Sequence, residues 1–518
     1  MAILPLDCLL ATDGPTTAIP ASASARTTLT PTQASQDLEL AIAALEAALP
    51  NIYWHQSPAA WTQAKTLARA KIASVNDSDD LWRALMPLLA QVGEGHLSLT
   101  PSDGMKQKER ETGLLLPLSV LWTGDDAYVL GGYGYGNAAD IPRGTKILSI
   151  NGKDTPALED ELMYAATRDG SIRTGILREA SGRNYGHLLY RMTGSQTTFH
   201  LRLATADGKV FTRDVAGVPP SARHDADVAA TSPVASLTWL DEHTAYLDVP
   251  TFSNSRYREA GTTYQETIQK AFDELHERGA RNLILDLRKN GGGSEPNESI
   301  LFSYMVRQPL RKYAAVEARA RHIEVKDVTG KPFDTEVFDD DEMKLQRRLP
   351  DGRLTRLNTP PEGLMTRWST SSPVYDGRLV VLAGGDTFSG GAELASMLFH
   401  VRRAVFVGEE VGGTHEGNTS GYRWPLTLPN SGMTVRIPLL QFRFAWPGLP
   451  RDHGVRPDCP VPPNVWEADN PRDAAWRVAR DILQETWTLP QKAACPVAFI
   501  PTPHETGRAM IGSPLTKR

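Results

Sequence analysis

Ser389 stands in Thr387-Phe388-Ser389-Gly390-Gly391, where an apolar run, Leu379 to Ala383, gives way through small residues to a helical pattern. A hydroxyl at a helix N-terminus sits at the positive end of the peptide dipole. The glycine after it lets a substrate carbonyl approach the Gly390 N–H without meeting a Cβ. That placement suits an acyl-transfer nucleophile, and it equally suits a serine that caps the helix through its hydroxyl. An alcohol is too weak an acid to attack a carbonyl unaided, so a serine nucleophile needs a base at hydrogen-bond distance. His96, in Gly93-Glu94-Gly95-His96-Leu97-Ser98-Leu99, follows a helical segment, is preceded by glycine and begins an alternating run, which makes it a candidate for that base. A third segment, Leu283 to Gly293 (LILDLRKNGGG), runs an apolar strand into three glycines. Their N–H groups can converge on an anion, as an oxyanion hole does, or form only a tight turn before a helix. Ser389 and His96 lie far apart in the chain, so only tertiary folding can join them.

The elements that must do this show as changes of hydrophobic period. Leu38, Leu40, Ile42, Leu45, Ala48 and Leu49 recur largely at three- and four-residue spacings, which predicts an amphipathic helix with cap chemistry from Ser35 and Asp37. Helices are predicted over 61–73 and 79–92, the second capped by Ser78 or Asp79. From 114 to 218 the pattern is short β-runs, with Asn151-Gly152 as a strong tight-turn signal. A Ser/Ala/Asp-rich stretch at 219–233 reads as a linker. Beyond it strands and helices alternate, over 244–249, 262–278, 282–287, 295–306, 379–383, 390–400 and 404–408, which predicts parallel pairing with helical crossovers. Residues 308–375, rich in Arg, Asp and Glu, interrupt the alternation as a large insertion of the kind that forms lids or substrate walls.

Composition narrows the function classes. With 518 residues the chain needs several packed units, and 41% hydrophobic with 22% charged residues is a globular balance. A net charge of −6 without a long basic block excludes the electrostatic footprint of a nucleic-acid binder. No apolar run reaches the length of a membrane span. Three cysteines, Cys8, Cys459 and Cys495, cannot build a disulfide framework or a C-x-x-C site, although Cys459 could pair with Cys495 in an oxidising compartment. Residues 1–34 read as a leader or disordered tail; the apolar start and the small residues Ala21 to Ala25 suggest a weak export signal and a periplasmic or secreted protein.

In order, Gly95-His96, Tyr246 to Phe252 (YLDVPTF), Asp286 to Gly293, Thr387-Phe388-Ser389-Gly390, Gly408-Glu409 and Gly454-Val455-Arg456-Pro457-Asp458 resemble the tail-specific, or C-terminal processing, serine peptidase family, particularly its tricorn-protease-like branch. The resemblance covers most of residues 35–465. It implies an α/β multidomain fold: an N-terminal helical domain over 35–110 ending in the His96 motif, a PDZ-like β domain over 111–218 and a crotonase-like catalytic domain over 234–465 carrying the 308–375 insertion. A C-terminal helix and tail follow at 466–518. Pro142 to Gly152 resembles the PDZ strand-and-turn signature, although the glycine-rich run Gly131 to Gly136 is not a typical carboxylate-binding loop. By the same resemblance Ser389 is the nucleophile, His96 the general base, and Gly390 with Gly292 the oxyanion donors.

Many relatives use a lysine about 25 residues after the serine; the corresponding region here, Val411 to Gly417, has none, which favours His96 and leaves His415 as second choice. Two positions depart from the branch. The serine before its histidine is Gly95 here, and its glutamate before the Gly-Val-x-Pro-Asp motif is Arg451. Asp452, one position on, and Glu416 are therefore the candidates to orient the histidine. The implied activity is a serine endopeptidase acting on peptides or unfolded protein segments, with no metal or nucleotide cofactor. The competing reading is a non-catalytic ligand- or peptide-binding protein on the same scaffold.

Overall fold

The alternation beyond residue 234 builds a six-stranded sheet in the order Cys459–Pro460, Val405–Gly408, Arg378–Ala383, Asn282–Asp286, Thr244–Asp248, Ser236–Trp239. All neighbours are parallel except the edge strand Ser236–Trp239, which returns antiparallel on Thr244–Asp248. The central strands are apolar without alternation because both faces are covered. Leu283, Leu285, Leu379 and Val381 face one large core, while Ile284, Val380 and Leu382 face the amphipathic helix Ala474–Gln484. The computed structural model describes residues 28–132, 138–222, 234–358, 364–365, 367–446 and 451–484.

Three N-terminal helices, Pro31–Ala48, Pro58–Ile72 and Ser78–Ala90, contribute to that same large core. Their caps lie earlier than the sequence reading placed them. Thr30 makes a capping box with Gln33, with Pro31 at the first helical position, and Ser57 and Asp77 cap the next two helices. Asp37, expected near a cap, lies inside its helix and is buried. Its carboxylate accepts the N–H groups of Asn430 (3.1 Å) and Ser431 (2.8 Å), fastening the helix to a turn between two long strands.

Those strands, Gly417–Thr427 and Thr434–Phe444, belong to a second six-stranded sheet that positions His96. The short strand Ser98–Thr100, just after the histidine, pairs antiparallel with Thr434–Phe444. Farther along that same edge of Thr434–Phe444, opposite Gly417–Thr427, the insertion supplies Tyr313–Ala318, followed by Leu354–Arg356 and Gln346–Arg348. The insertion is thus woven into the sheet rather than hung from it.

A third sheet, Leu118–Thr123, Asp126–Gly132, Lys146–Ile150, Thr198–Ala204 and Val210–Ala216, surrounds a core of its own. Asn151 (φ 51°) and Gly152 (φ 78°) both take positive φ between Lys146–Ile150 and Lys153–Asp154, as a tight hairpin turn demands. Three helices, Thr155–Leu162, Thr174–Glu179 and Asn184–Thr193, interrupt these strands where the sequence reading had none.

The chain is therefore a mixed α/β, multidomain protein. Among the described residues no helix is long and apolar enough to cross a membrane. Cys459 is disulfide-bonded. Cys8 and Cys495 lie outside the described residues, as do most of the expected leader, the 223–233 part of the linker, the end of the Gly131 to Gly136 run and the tail beyond 484.

Candidate active site

Ser389 joins the strand Arg378–Ala383 to the helix Gly390–His400. The turn is pinned from below. Thr387 Oγ1 donates to the Leu287 carbonyl (2.8 Å) and accepts the Gly384 N–H (3.1 Å), while the Phe388 N–H donates to the Asn290 carbonyl (3.0 Å). Held this way, Ser389 adopts φ 52°, ψ −126°, a strained backbone for a residue with a side chain. Its hydroxyl makes no capping hydrogen bond to the helix it precedes. Instead Oγ lies 3.1 Å from His96 Nε2, so the structure brings the predicted serine and histidine together and the capping alternative is not realised.

His96 is held by the Ser98–Thr100 pairing and by packing of its ring on Phe388, 4.6 Å between centroids. Burial, helped by the nearby charge of Arg423 and opposed by Glu393, pushes the imidazole down to about 4. At neutral pH it is uncharged and able to accept a proton. Its Nδ1 is buried and has no hydrogen-bond partner among the described residues. Gly95 is small for a reason: a Cβ there would sit 2.8 Å from the Phe388 ring and 3.0 Å from Asp169 Oδ1, which already accepts the Gly95 N–H at 2.6 Å.

The glycine turn lies against the serine. A Cβ on Gly292 (φ +93°) would come within 2.7 Å of Ser389 Cβ and 2.8 Å of the Gly390 nitrogen, so only glycine allows this approach. However, the Gly292 N–H, expected as an oxyanion donor, is already given to Asn290 Oδ1 (2.9 Å). Gly293, which lines the cleft beside Ser389, has an N–H without an acceptor among the described residues. The Gly390 N–H, in the first helical turn, has no intrahelical acceptor.

Asp452 does not meet His96. Its carboxylate pairs with His55 Nδ1 (2.7 Å), and its N–H donates to Glu416 (3.0 Å). Glu416 in turn faces Arg451 (3.3 Å) and His55 (3.7 Å), and His415 lies beside Ser396 and Phe399. His55, which the sequence reading missed, is thus the centre of an acidic group. Burial lowers its pKa, but the bond to Asp452 and the charges of Glu94, Asp169 and Glu416 outweigh that and raise it. Burial also lifts Glu94 to about 7 and Asp169 to about 6. Asp452 and Glu416, expected from the sequence to orient His96, belong to this group around His55.

Two sets of side chains lie close enough to share a metal ion: His55, Glu416 and Asp452, and Glu295, Glu298 and Glu393. The centre of the second is already held by the buried Lys312 ammonium, 3.1 Å from Glu295, 2.6 Å from Glu298 and 2.5 Å from Glu393. Ser389 and His96 open onto a cleft of about 120 Å³. The insertion forms one wall through Tyr313, Phe338, Gln346 and Arg356, and Arg423 and Leu440 stand on another.

Solved structures of similar fold are known. Mature CPAF aligns with TM-score 0.58 at 15% identity, covering 88% of this chain and 99% of that one. Mature CPAF complexed with lactacystin gives 0.58 at 16%, covering 88% and 97%. At such identity these show a shared fold. The tricorn protease aligns over 88% of this chain and 36% of its own at 13% identity, with a TM-score of 0.36 that carries no argument. No curated protein matches this sequence. Residues 243–461 match the model of peptidase family S41. That segment runs from the start of the strand Thr244–Asp248 through the glycine turn, Ser389 and its helix to Val461, and over it the chain is similar to peptidase family S41.

Proposed function

We propose that this protein is a serine endopeptidase with Ser389 as nucleophile and His96 as general base, cleaving peptides or unfolded protein segments. The observation that carries the reading is the 3.1 Å approach of Ser389 Oγ to a buried, neutral imidazole. Ser389 Oγ attacks the scissile carbonyl carbon as His96 Nε2 takes its proton, and the carbonyl electrons move onto oxygen. The N–H groups of Gly390 and Gly293 are the donors we assign to that oxyanion, in place of Gly292. Collapse breaks the C–N bond, the leaving amine takes the proton from His96, and an acyl-enzyme remains. Water then attacks with His96 again as base, releasing the new C-terminus and restoring the serine. With no carboxylate on Nδ1, packing on Phe388 and the Ser98–Thr100 ladder do the orienting that an acid performs in a triad.

In the same reading residues 234–465 form a crotonase-like catalytic unit with the 308–375 insertion. Residues 35–110 form a helical unit, and 111–218 a PDZ-like unit able to add an extended peptide to a sheet edge. The disulfide at Cys459 supports a periplasmic or secreted location, since disulfides persist in oxidising compartments. The test is a fluorophosphonate probe combined with hydrolysis of unfolded casein. Wild type should label and hydrolyse, Ser389→Ala should do neither, and His96→Ala should lose about 10⁴- to 10⁶-fold in kcat. A wild-type chain that neither labels nor hydrolyses would instead favour a binding protein on the same scaffold, the reading to which the unpartnered His96 Nδ1 gives some support.

A further inference from the structure

Hydrogen-bonding capacity in the cleft beside Ser389 is lopsided. Its carboxylates are already engaged: Lys312 holds Glu295, Glu298 and Glu393 together. Tyr313 also donates to Glu295 and Glu393, and Asn418 to Glu393. The donors are not engaged. Arg356, from the inserted strand Leu354–Arg356, lines the cleft with no ion pair among the described residues, and the Nε2 of Gln346, on the neighbouring strand, is buried without an acceptor. Arg423 adds a second guanidinium at the rim. A guanidinium drawn in from water without a counter-ion is unfavourable unless a partner arrives with the ligand. Burial holds Arg356 below the usual arginine range even though the more distant charges of Glu342 and Glu295 favour its cation.

We propose that this cleft selects substrates by a carboxylate, seated on the Arg356 guanidinium and the Gln346 amide while its aliphatic stem lies against Phe338 and Leu440. The inference rests on the peptidase reading and names its substrate class, acidic peptides. Two sources share the chemistry, an Asp or Glu side chain and the terminal carboxylate of the peptide. The insertion then acts as the specificity wall, its strands tied into the sheet that Ser98–Thr100, just after His96, also joins. Charge-assisted bonds to a planar guanidinium are strong enough to discriminate.

The probes are Ala/Leu decapeptides carrying a single Glu, Gln or Lys at each position in turn, with free or amidated C-termini. Binding is measured by calorimetry on the full-length Ser389→Ala chain, and cleavage by the wild type is measured separately. We expect Glu peptides to bind about 10- to 100-fold more tightly than their Gln counterparts, with Lys weakest. The ratio should fall to near one when Arg356→Gln is added and invert toward Lys with Arg356→Glu. A Glu-over-Gln preference that survives in amidated peptides assigns the side chain as the source; binding that is equal among free-acid peptides but falls about 10-fold or more on amidation, and no longer does so with Arg356→Gln, assigns the terminal carboxylate. Equal binding of Glu, Gln and Lys peptides that amidation does not weaken, or a preference for Lys, overturns the proposal without any Arg356 variant. Acidic preference in binding with no cleavage by the wild type leaves it standing and overturns the peptidase reading alone.

Discussion

In the proposed mechanism His96 accepts a proton from Ser389 with no acid on its Nδ1 among the described residues, and its burial makes that role readable by pH. Because its pKa is pushed down to about 4, the acid limb of kcat/KM should fall near pH 4 rather than near the 6.5 of a free imidazole. A pH–rate profile on an uncharged peptide checks this, and a limb at 6 to 7 would mean that the ring is solvated in solution. The same shift acts on stability. Between 6.5 and 4 the unfolded chain binds a proton that the folded chain refuses, so this contribution is complete above 6.5 and is lost as pH falls toward 4. Gly292 gives a steric counterpart: Gly292→Ala puts a methyl 2.7 Å from Ser389 Cβ and should lower kcat/KM by about 100-fold or more with the fold retained by circular dichroism. Ser389 and His96, which the structure places 3.1 Å apart, could be picked out of the sequence as a candidate pair because each sits in a local motif. Asp452 was not, since at φ 61° it turns toward His55, whose other neighbours come from residues 94, 169 and 416.

At the scale of elements, the insertion ties itself to the catalytic helix through one cation. Lys312 is buried, and although burial alone would lower its pKa, the three glutamates hold it well above the usual lysine range. Glu298 and Glu393 lie on the helices Asn297–Ser303 and Gly390–His400. Lys312→Met would leave these carboxylates facing one another without a counter-charge and should cost about 3–5 kcal/mol of unfolding free energy in urea titrations. A loss under 1 kcal/mol would show that protonation of Glu295, already lifted to about 7 by burial, absorbs the change. The parallel strands of the first sheet could be read from sequence because their apolar runs are short and uninterrupted. Gly417–Thr427 and Thr434–Phe444 could not, because Gly421, Pro425 and Pro438 break the period and the pair carries a register shift between Ser420 and Arg423.

For the whole molecule, the first helix and the sheet that aligns His96 are joined at Asp37. Its carboxylate accepts two backbone N–H groups and the Asn430 side chain (2.9 Å) in the turn between the long strands. Asp37→Ala leaves those buried donors unmatched and should lower stability by about 1–3 kcal/mol, read from the denaturant midpoint. An unchanged midpoint would mean that water replaces the carboxylate.

The pairing of Ser98–Thr100 with Thr434–Phe444 has a practical corollary for anyone trimming the gene. On the proposed mechanism, a fragment cut to the family-matched borders, 243–461, would keep Ser389 and its glycine cradle yet leave its proton acceptor, His96, on the discarded piece. Such a truncated enzyme would be chemically silent by design of the chain, and restoring turnover would require supplying the missing amino-terminal half in trans.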